Sequence, residues 1–465
     1  MSGKRLLIIT EYFAPVNAVA AIRWTKIAKY LNTEHGYEID VLTNEKDFTN
    51  TSRGIAQYEY DSTLESDIKY VRSFINIPTS LWNRFINRIF YAVKKKYGKV
   101  KASRLRHAAT SPSKENSKNH DFLCSKVHRI KASLHRVRER LTQMETQRAA
   151  LAMGMDWSKY DVVISSYGPR WTHLIGACAK KEHPQHIWIA DFRDPPRALE
   201  GEHAKITESM FEKTTRQADC IFTVAVGGLA VFPVPKTQQI EVVYNGFDPT
   251  EVSFRNRTSN DLFTLVYTGT LYRDGEKRSD LSPVFQVIEE LEFEKAIDPD
   301  RVRVIYAGNS SDQFVDQVSS FPSIKWECLG LVSRQESMQL QDAAAVLLLC
   351  IWNTPAQQGC VTGKVFEYLT SGAPIACVCS GNVPESELKW IIETANAGIC
   401  YEEAAGQEDY ATLKKFVKLR YDEWIAKGIT ACDVKWDFID QFSHKRIAGK
   451  VNDIIDSIKS KEQGE

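Results

Sequence analysis

At 465 residues the chain has room for two or three domains. Its 43% hydrophobic and 26% charged content is ordinary for a globular protein and too apolar for wholesale disorder. Sixty Lys and Arg against 59 Asp and Glu leave a formal charge of +1, which argues against a uniformly basic nucleic-acid binder, so no nucleic acid is expected as a partner. The longest apolar run, Ala343 to Trp352, is about half of what a membrane-crossing helix needs. The opening MSGKRLLIIT is too short in apolar residues for the core of a secretory signal. Ten cysteines without a C-x-x-C pair or a Cys/His cluster suit a reducing, cytoplasmic setting better than a disulfide scaffold or a zinc site.

In chain order, Arg5–Thr10 (RLLIIT) reads as a strand buried on both faces. A Pro-containing loop follows, then a helical pattern from Ala18 to Leu31, a break at Gly36 and a second strand at Glu38–Thr43. Strand, helix, strand is one βαβ unit of an open doubly wound sheet. Between Leu81 and Arg140 stand 17 Lys and Arg and only three acids. That stretch therefore carries +14 and the rest of the chain −13. Within it, apolar residues recur at Trp82, Ile86, Ile89, Val93, Tyr97 and Val100, with Arg and Lys on the flanks. Such a helix suits an anionic membrane surface, or it packs on its own domain with a solvated basic back. Residues 109–120 read as a polar loop.

The α/β rhythm resumes with Asp161–Ser165, a helix near His173–Glu182, Ile187–Asp191 and Cys220–Val224. Tyr244–Asp248 (YNGFD) is a turn signal, and a second series follows it. Its expected strands are Phe263–Thr268, Val302–Ala307, Lys325–Leu329, Ala345–Cys350 and Ile375–Cys379. An amphipathic helix over Phe438–Ile458 closes the chain. The expected division is an N-terminal Rossmann-like domain over 1–248, with 81–140 as a basic insertion, a C-terminal one over 249–435, and a helix and tail over 436–465. Open α/β sheets bind ligands at their carboxyl edges, which places the function in the cleft between the two halves.

No G-x-G-x-x-G follows the first strand, and no P-loop, H-E-x-x-H or G-x-S-x-G pattern occurs, which disfavours dinucleotide oxidoreductases, P-loop enzymes, zinc proteases and α/β-hydrolases. The most informative segment is Thr362–Pro374, TGKVFEYLTSGAP. Lys364 and Glu367, three apart, share one helical face, with Gly363 near the helix start. A cation beside free amides favours phosphate, and a carboxylate one turn on can accept both hydroxyls of a ribose. The pair reads as a nucleotide site or as an exposed ion pair on an ordinary helix.

This segment resembles the donor-binding helix of retaining GT-B glycosyltransferases of family 4 (glycosyl transferases group 1). Similar pieces occur in the family's order over nearly the whole chain except about residues 50–155: LLIITEYFAPVNAVAAIRWTKIAKYL, SSYGPRWTHLIG with WIADFRDP, VVYNGFD, VYTGTLYRDGEKR, VIYAGN and WECLGLVSRQE. The resemblance implies a GT-B fold: two Rossmann-like domains facing across a cleft, with a C-terminal helix able to cross back to the first. It also implies transfer of a sugar from a nucleotide-sugar donor to a glycan or lipid-linked acceptor in bacterial-type surface polysaccharide synthesis. Configuration is retained, and neither a metal nor a resident cofactor is required. The setting it implies is the cytoplasm, with peripheral attachment to the inner leaflet.

By position, Glu367 matches the second glutamate of the family pair. The first falls at Gly359, a departure that leaves the sugar without that carboxylate. Arg273 with Lys277 or Arg278 resemble the diphosphate clamp beside Gly269, and Leu331 to Ser333 match the base-contacting stretch. These cations could equally be a solvated loop. His173 falls where the family places a histidine facing the sugar. Asp191, Arg193 and Asp194 end a strand at the cleft edge, where an aspartate could orient the acceptor or pair with Arg193. Arg23 follows a loop lacking the family's Gly-Gly and is expected on phosphate or acceptor. A 2-epimerase acting on nucleotide sugars, and a non-catalytic scaffold binding through the basic insertion, remain the competing readings.

Overall fold

The structure, a computed structural model, describes residues 4–17, 19–44, 59–77, 79–92, 114–193, 209, 211–231, 238–252, 256–274, 277–355 and 357–464. Two wholly parallel sheets organise them. The first contains β1 (Lys4–Ile9), β2 (Tyr37–Asn44), β3 (Tyr70–Ile75), β4 (Val162–Ser166), β5 (Ile187–Phe192), β6 (Cys220–Thr223) and β7 (Ile240–Val242), in spatial order 3-2-1-4-5-6-7. The second contains β8 (Phe263–Thr268), β9 (Val302–Ala307), β10 (Lys325–Gly330), β11 (Val346–Trp352), β12 (Ile375–Ser380) and β13 (Gly398–Glu402), in order 10-9-8-11-12-13. Each reverses direction of growth beside its first strand, as doubly wound sheets do. Together they are the two Rossmann-like halves of a GT-B fold.

The inner strands are continuous apolar runs because helices cover both faces. VLLLCIW of β11 and IACVCS of β12 are buried at every position. The nine cysteines whose side chains are described are free thiols, and Cys377 and Cys379 are small core residues. The strands absent from the sequence reading, β3, β7 and β13, all lie at sheet edges and are only partly covered.

Two segments differ from expectation. Residues 114–120 belong to a long helix, α3 (Lys114–Met153), rather than to a polar loop. It starts two residues after Pro112, and neither Gly nor Pro interrupts the 40 residues that follow. The last helix, α8 (His444–Gly464), begins six residues later than Phe438. Ser443 is extended and caps the new helix by accepting the Arg446 N–H at 3.2 Å. The break has a use: Phe247 N–H donates to Phe442 C=O at 3.1 Å and His444 N–H to Phe247 C=O at 2.8 Å. Both chain crossings between the halves are thus zipped together. A Cβ on Gly246 would fall 2.0 Å from the Phe442 carbonyl oxygen, so the sequence needs glycine there.

Beyond that zipper α8 packs against α1 (Val19–His35). Ile447, Val451, Ile455 and Ile458 join the core of the first half. The helix therefore crosses back and fastens the second half to the first.

Inside the first half, Arg23 and Asp191 form a buried ion pair at 2.8 Å. Asp191 also accepts from Trp24 Nε1 at 2.7 Å and Ser166 Oγ at 2.9 Å. Arg23 donates to the carbonyls of Val243 and Tyr244 at 2.8 and 2.6 Å. Removing one member of such a pair leaves its partner charged in a site without water. Asp191→Ala is expected to cost about 3–5 kcal/mol of unfolding free energy, read from urea denaturation. A loss below 1 kcal/mol would contradict the assignment of this pair as a structural centre.

Candidate functional site

The carboxyl edge of the second sheet carries the residues with chemistry. β8 ends at Gly269, whose φ of +132° suits glycine. Its amide donates to the Ala307 carbonyl at 2.8 Å, and Gly308 packs so tightly on it that a Cβ there would meet the Gly269 carbonyl oxygen at 1.9 Å. The Lys364 side chain passes over Gly269: a Cβ on that glycine would lie 3.7 Å from Lys364 Cε. Lys364 begins the short helix α7 (Lys364–Leu369), with Gly363 just before it. Tyr368 anchors α7 to the sheet by accepting the Thr268 N–H at 2.9 Å.

Lys364 Nζ lies 2.8 Å from Glu367 Oε2, and each side chain is a quarter exposed. Gln341 Nε2 donates to the same oxygen at 3.3 Å. Burial pushes the Glu367 carboxyl up, but Lys364 and then Arg334 outweigh it and bring it down to about 2. Arg334 opens the helix α6 (Arg334–Ala343) and bonds to Glu251. Burial pulls its guanidinium down, and Glu251 with Glu367 holds it above its ordinary value. Glu251 in turn pairs with Lys26 of α1 at 3.0 Å, and Lys26 with Asp248 at 2.9 Å. Alternating charges thus run from Lys364 to the first half. A small cavity of about 40 Å³ between Lys26, Arg334, Glu367 and His444 lies along this line. None of Arg334, Gln341, Lys26 and Glu251 was singled out in the sequence. The first two begin and end a helix that looks solvent-polar, and only the fold brings that helix to Glu367.

Arg273 stands on a two-residue antiparallel pairing of 273–274 with 277–278, exposed, 3.4 Å from Asp316. Neighbouring Leu271 N–H donates to Ser310 Oγ, which fixes this loop to the carboxyl edge. The side chains of Lys277 and Arg278 lie outside the described residues, as does Asp194. Leu331 is exposed and lines a 540 Å³ groove with Val266, Ile305 and Leu340. The Ser333 hydroxyl is engaged in capping α6, bonded to Glu336 in a reciprocal box.

Three expectations on the first half are corrected. Arg23 does not reach for phosphate or acceptor; Asp191 and the backbone of residues 243–244 hold its guanidinium in the interior. Asp191 pairs with Arg23, not Arg193, which instead donates to Tyr167 C=O at 3.1 Å and lies over the Tyr12 ring. His173, on α4 (Trp171–Glu182), is fully buried rather than facing a ligand, its ring among Tyr167 and Phe192. Nδ1 lies 2.8 Å from Ser165 Oγ, and Nε2 has no hydrogen-bond partner among the described residues. Burial pulls the imidazole down to about 3, so it is neutral at ordinary pH.

Gly359, at the position where the resemblance places a glutamate, has no room for a side chain. Its φ is +69°, and a Cβ there would lie 2.5 Å from Gly227 Cα in the first half. Glu387 ties down the same contact, accepting the amides of Val226 and Gly227 at 2.9 and 3.2 Å and the Tyr244 hydroxyl at 2.6 Å. A glutamate cannot occupy position 359 while the halves meet there.

No protein-family model and no curated protein sequence matches the chain. Among solved structures it is similar to the OtsA apo structure, at TM-score 0.55 and 11% identity, with 97% of this chain and 99% of that one covered. It is also similar to the N-terminal domain of Candida albicans trehalose-6-phosphate phosphatase, at TM-score 0.50 and 10% identity, covering 98% and 97%. Identities this low speak to the fold.

The depressed Glu367 carboxyl has a pH consequence. Its ion pairs contribute stability that is fully present above the ordinary glutamate value of 4.5 and is lost as pH falls toward 2. The gap in urea midpoint between wild type and Glu367→Gln should hold constant from pH 7 to 5 and narrow below about 4.5. Narrowing that is complete before pH 5 would contradict a lowered carboxyl.

Proposed function

We propose that the protein is a glycosyltransferase that binds a nucleotide-sugar donor on its second half and transfers the sugar, with retention, to a glycan or lipid-linked acceptor. The observation that carries this reading is the Lys364–Glu367 pair beside Gly269 at the carboxyl edge of the second sheet. Lys364 is assigned to donor phosphate and Glu367, ionised at any physiological pH, to the ribose hydroxyls. Arg273 at the rim is assigned to the diphosphate, with Lys277 or Arg278 as its partner. Leu331 and its groove are assigned to the base. These cations fill the charge-neutralising role, so the reaction is read as metal-independent.

The chemistry asks little else of the protein. The acceptor hydroxyl attacks the anomeric carbon on the face of the leaving group, and the bond from that carbon to the diphosphate oxygen breaks. The departing phosphate oxygen takes the hydroxyl proton. Charge grows on the diphosphate during this step, and fixed cations at the edge of a closed cleft stabilise it. Closure about 245–249 and 440–444, which the backbone zipper joins, would keep water from the donor. The first half, with Arg193 and Tyr12 at its rim, is assigned to the acceptor.

Membrane association is the second part of the proposal. Among the described residues no helix is long and apolar enough to cross a membrane. The helix α2 (residues 81–92) exposes Leu81, Trp82, Phe85 and Tyr91 beside Arg84 and Arg88. Exposed aromatics with basic neighbours suit an anionic lipid surface. The continuation of the apolar stripe over Val93, Tyr97 and Val100 lies outside the described residues.

A thermal-shift panel of UDP-, GDP-, ADP- and CMP-sugars should show stabilisation by one nucleotide class, abolished or cut at least tenfold in affinity by Glu367→Ala. A panel without any shift, or a shift indifferent to that substitution, defeats the reading. Wild type should pellet with vesicles containing 30% phosphatidylserine, and Trp82→Ser/Phe85→Ser should lose most of that binding. Equal pelleting of both removes the membrane part alone.

A further inference from the structure

A large cavity lies outside the cleft, on the flank of the first half. It has a volume of about 680 Å³, within the range of ligand sites. Three helices wall it: α3, α4 and the helix over residues 211–215, here α5. Arg136 and Arg140 of α3, Arg170 and Lys181 of α4 and Lys213 of α5 line it, and among the described lining residues there is no carboxylate. Arg170 is built into place: it donates to Thr214 Oγ1 at 3.1 Å and lies over the Phe211 ring, which joins two of the walls.

Position on the helices makes the lining directional. On α3 the contributions fall at 136, 140, 143 and 147, and on α4 at 170, 174, 177, 178 and 181. Each series is one helical face over about three turns, so the groove is about 16 Å long at 1.5 Å per residue. Its cations are spread over that length and over three walls, rather than gathered around one point. A single phosphate would use one or two of them. Between them stand Gln143, Gln147 and Gln217, each able to donate and accept, and among the described lining residues there is no aromatic ring to stack a base.

We propose that this groove binds an acidic oligosaccharide, its spaced carboxylates or other anionic substituents meeting the five cations and its hydroxyls meeting the glutamine amides. It gives a task to part of the +14 segment, since Arg136 and Arg140 belong to it. The inference deepens the glycosyltransferase reading by giving the acceptor a chemical class: a glycan bearing negative charge, held on the half of the fold assigned to acceptors. A nucleic acid is disfavoured because stacking platforms are what single strands use, and the described lining residues supply none.

The probe is a galacturonic acid trimer, with maltotriose as the uncharged control and a single-stranded oligothymidylate as the competing polyanion. Isothermal titration on the full chain at 50 and 200 mM NaCl reads the affinities. The uronate trimer should bind at low salt, weaken severalfold at the higher salt, and bind at least tenfold less well to Lys181→Glu/Lys213→Glu. Maltotriose should not bind measurably. Both substituted lysines are exposed, and an unchanged thermal midpoint would confirm an intact fold. Lack of uronate binding, binding that the double variant leaves unaltered, equal binding of maltotriose, or preference for the oligonucleotide each overturns the proposal. The donor shift governed by Glu367 is measured separately, so a failure here leaves the donor site standing, and the reverse also holds.

Discussion

A single line of alternating charge joins the two halves: Lys364, Glu367, Arg334, Glu251, Lys26 and Asp248, in that order. Lys364, Glu367 and Arg334 belong to the second half, Lys26 to α1, and Asp248 and Glu251 to the segment that connects the halves, Glu251 on the short helix Pro249–Val252. Each faces at least one opposite charge that compensates its lost hydration. Asp248 shows the depth of this arrangement, accepting from Lys26, Lys29 and Tyr30 at once. Burial alone would raise its carboxyl, but Lys26 and its hydrogen bonds carry it well below the ordinary range. Taking one charge out of such a line strands its neighbours. The state of Glu367 is therefore coupled to the relative position of the halves, because Arg334 is shared between Glu367 and a residue that α1 holds.

A second contact couples the halves without charge on charge. Gly227 and Gly359 meet backbone to backbone, and Glu387 secures the approach through two amides and the Tyr244 hydroxyl. Tyr244 begins the hinge segment, and its phenol is held protonated by burial and by Glu387. The halves are thus held both by an ion ladder and by steric fit. Any side chain at 359 would have to prise this second contact open.

How much of this was legible in the sequence depends on where a segment sits in the layers. Strands such as Phe263–Thr268 and Val302–Ala307 were readable to the residue because both their faces are covered and composition alone marks them. Tyr70–Ile75 and Gly398–Glu402 were not, since an edge strand is half open and carries no continuous apolar signal. Lys364 and Glu367 were legible as a pair by helical spacing, whereas Arg334 and Gln341 were not, being brought in from a different helix by the sheet. Asp191 looked like a ligand because it ends a strand, and Arg23 because it stands in the first helix just after the Pro-containing loop. Their 2.8 Å pairing across 168 positions is a product of the fold, and sequence spacing carries no trace of it.

Screening decides how the two proposed sites would differ in character. Glu367 and Lys364 are three-quarters buried, and partly buried charges are little affected by salt. The flank groove is lined by exposed Arg136, Arg140, Lys181 and Lys213, in reach of counterions at a Debye length of about 8 Å under physiological conditions. Over a groove about 16 Å long, cations at opposite ends barely repel one another, so holding five of them together costs the folded state little. Their summed field still extends outward and favours encounter with an anion. The donor would accordingly be selected by close contact and the acceptor captured by field, which suits a small rigid nucleotide in the first case and a long flexible glycan in the second.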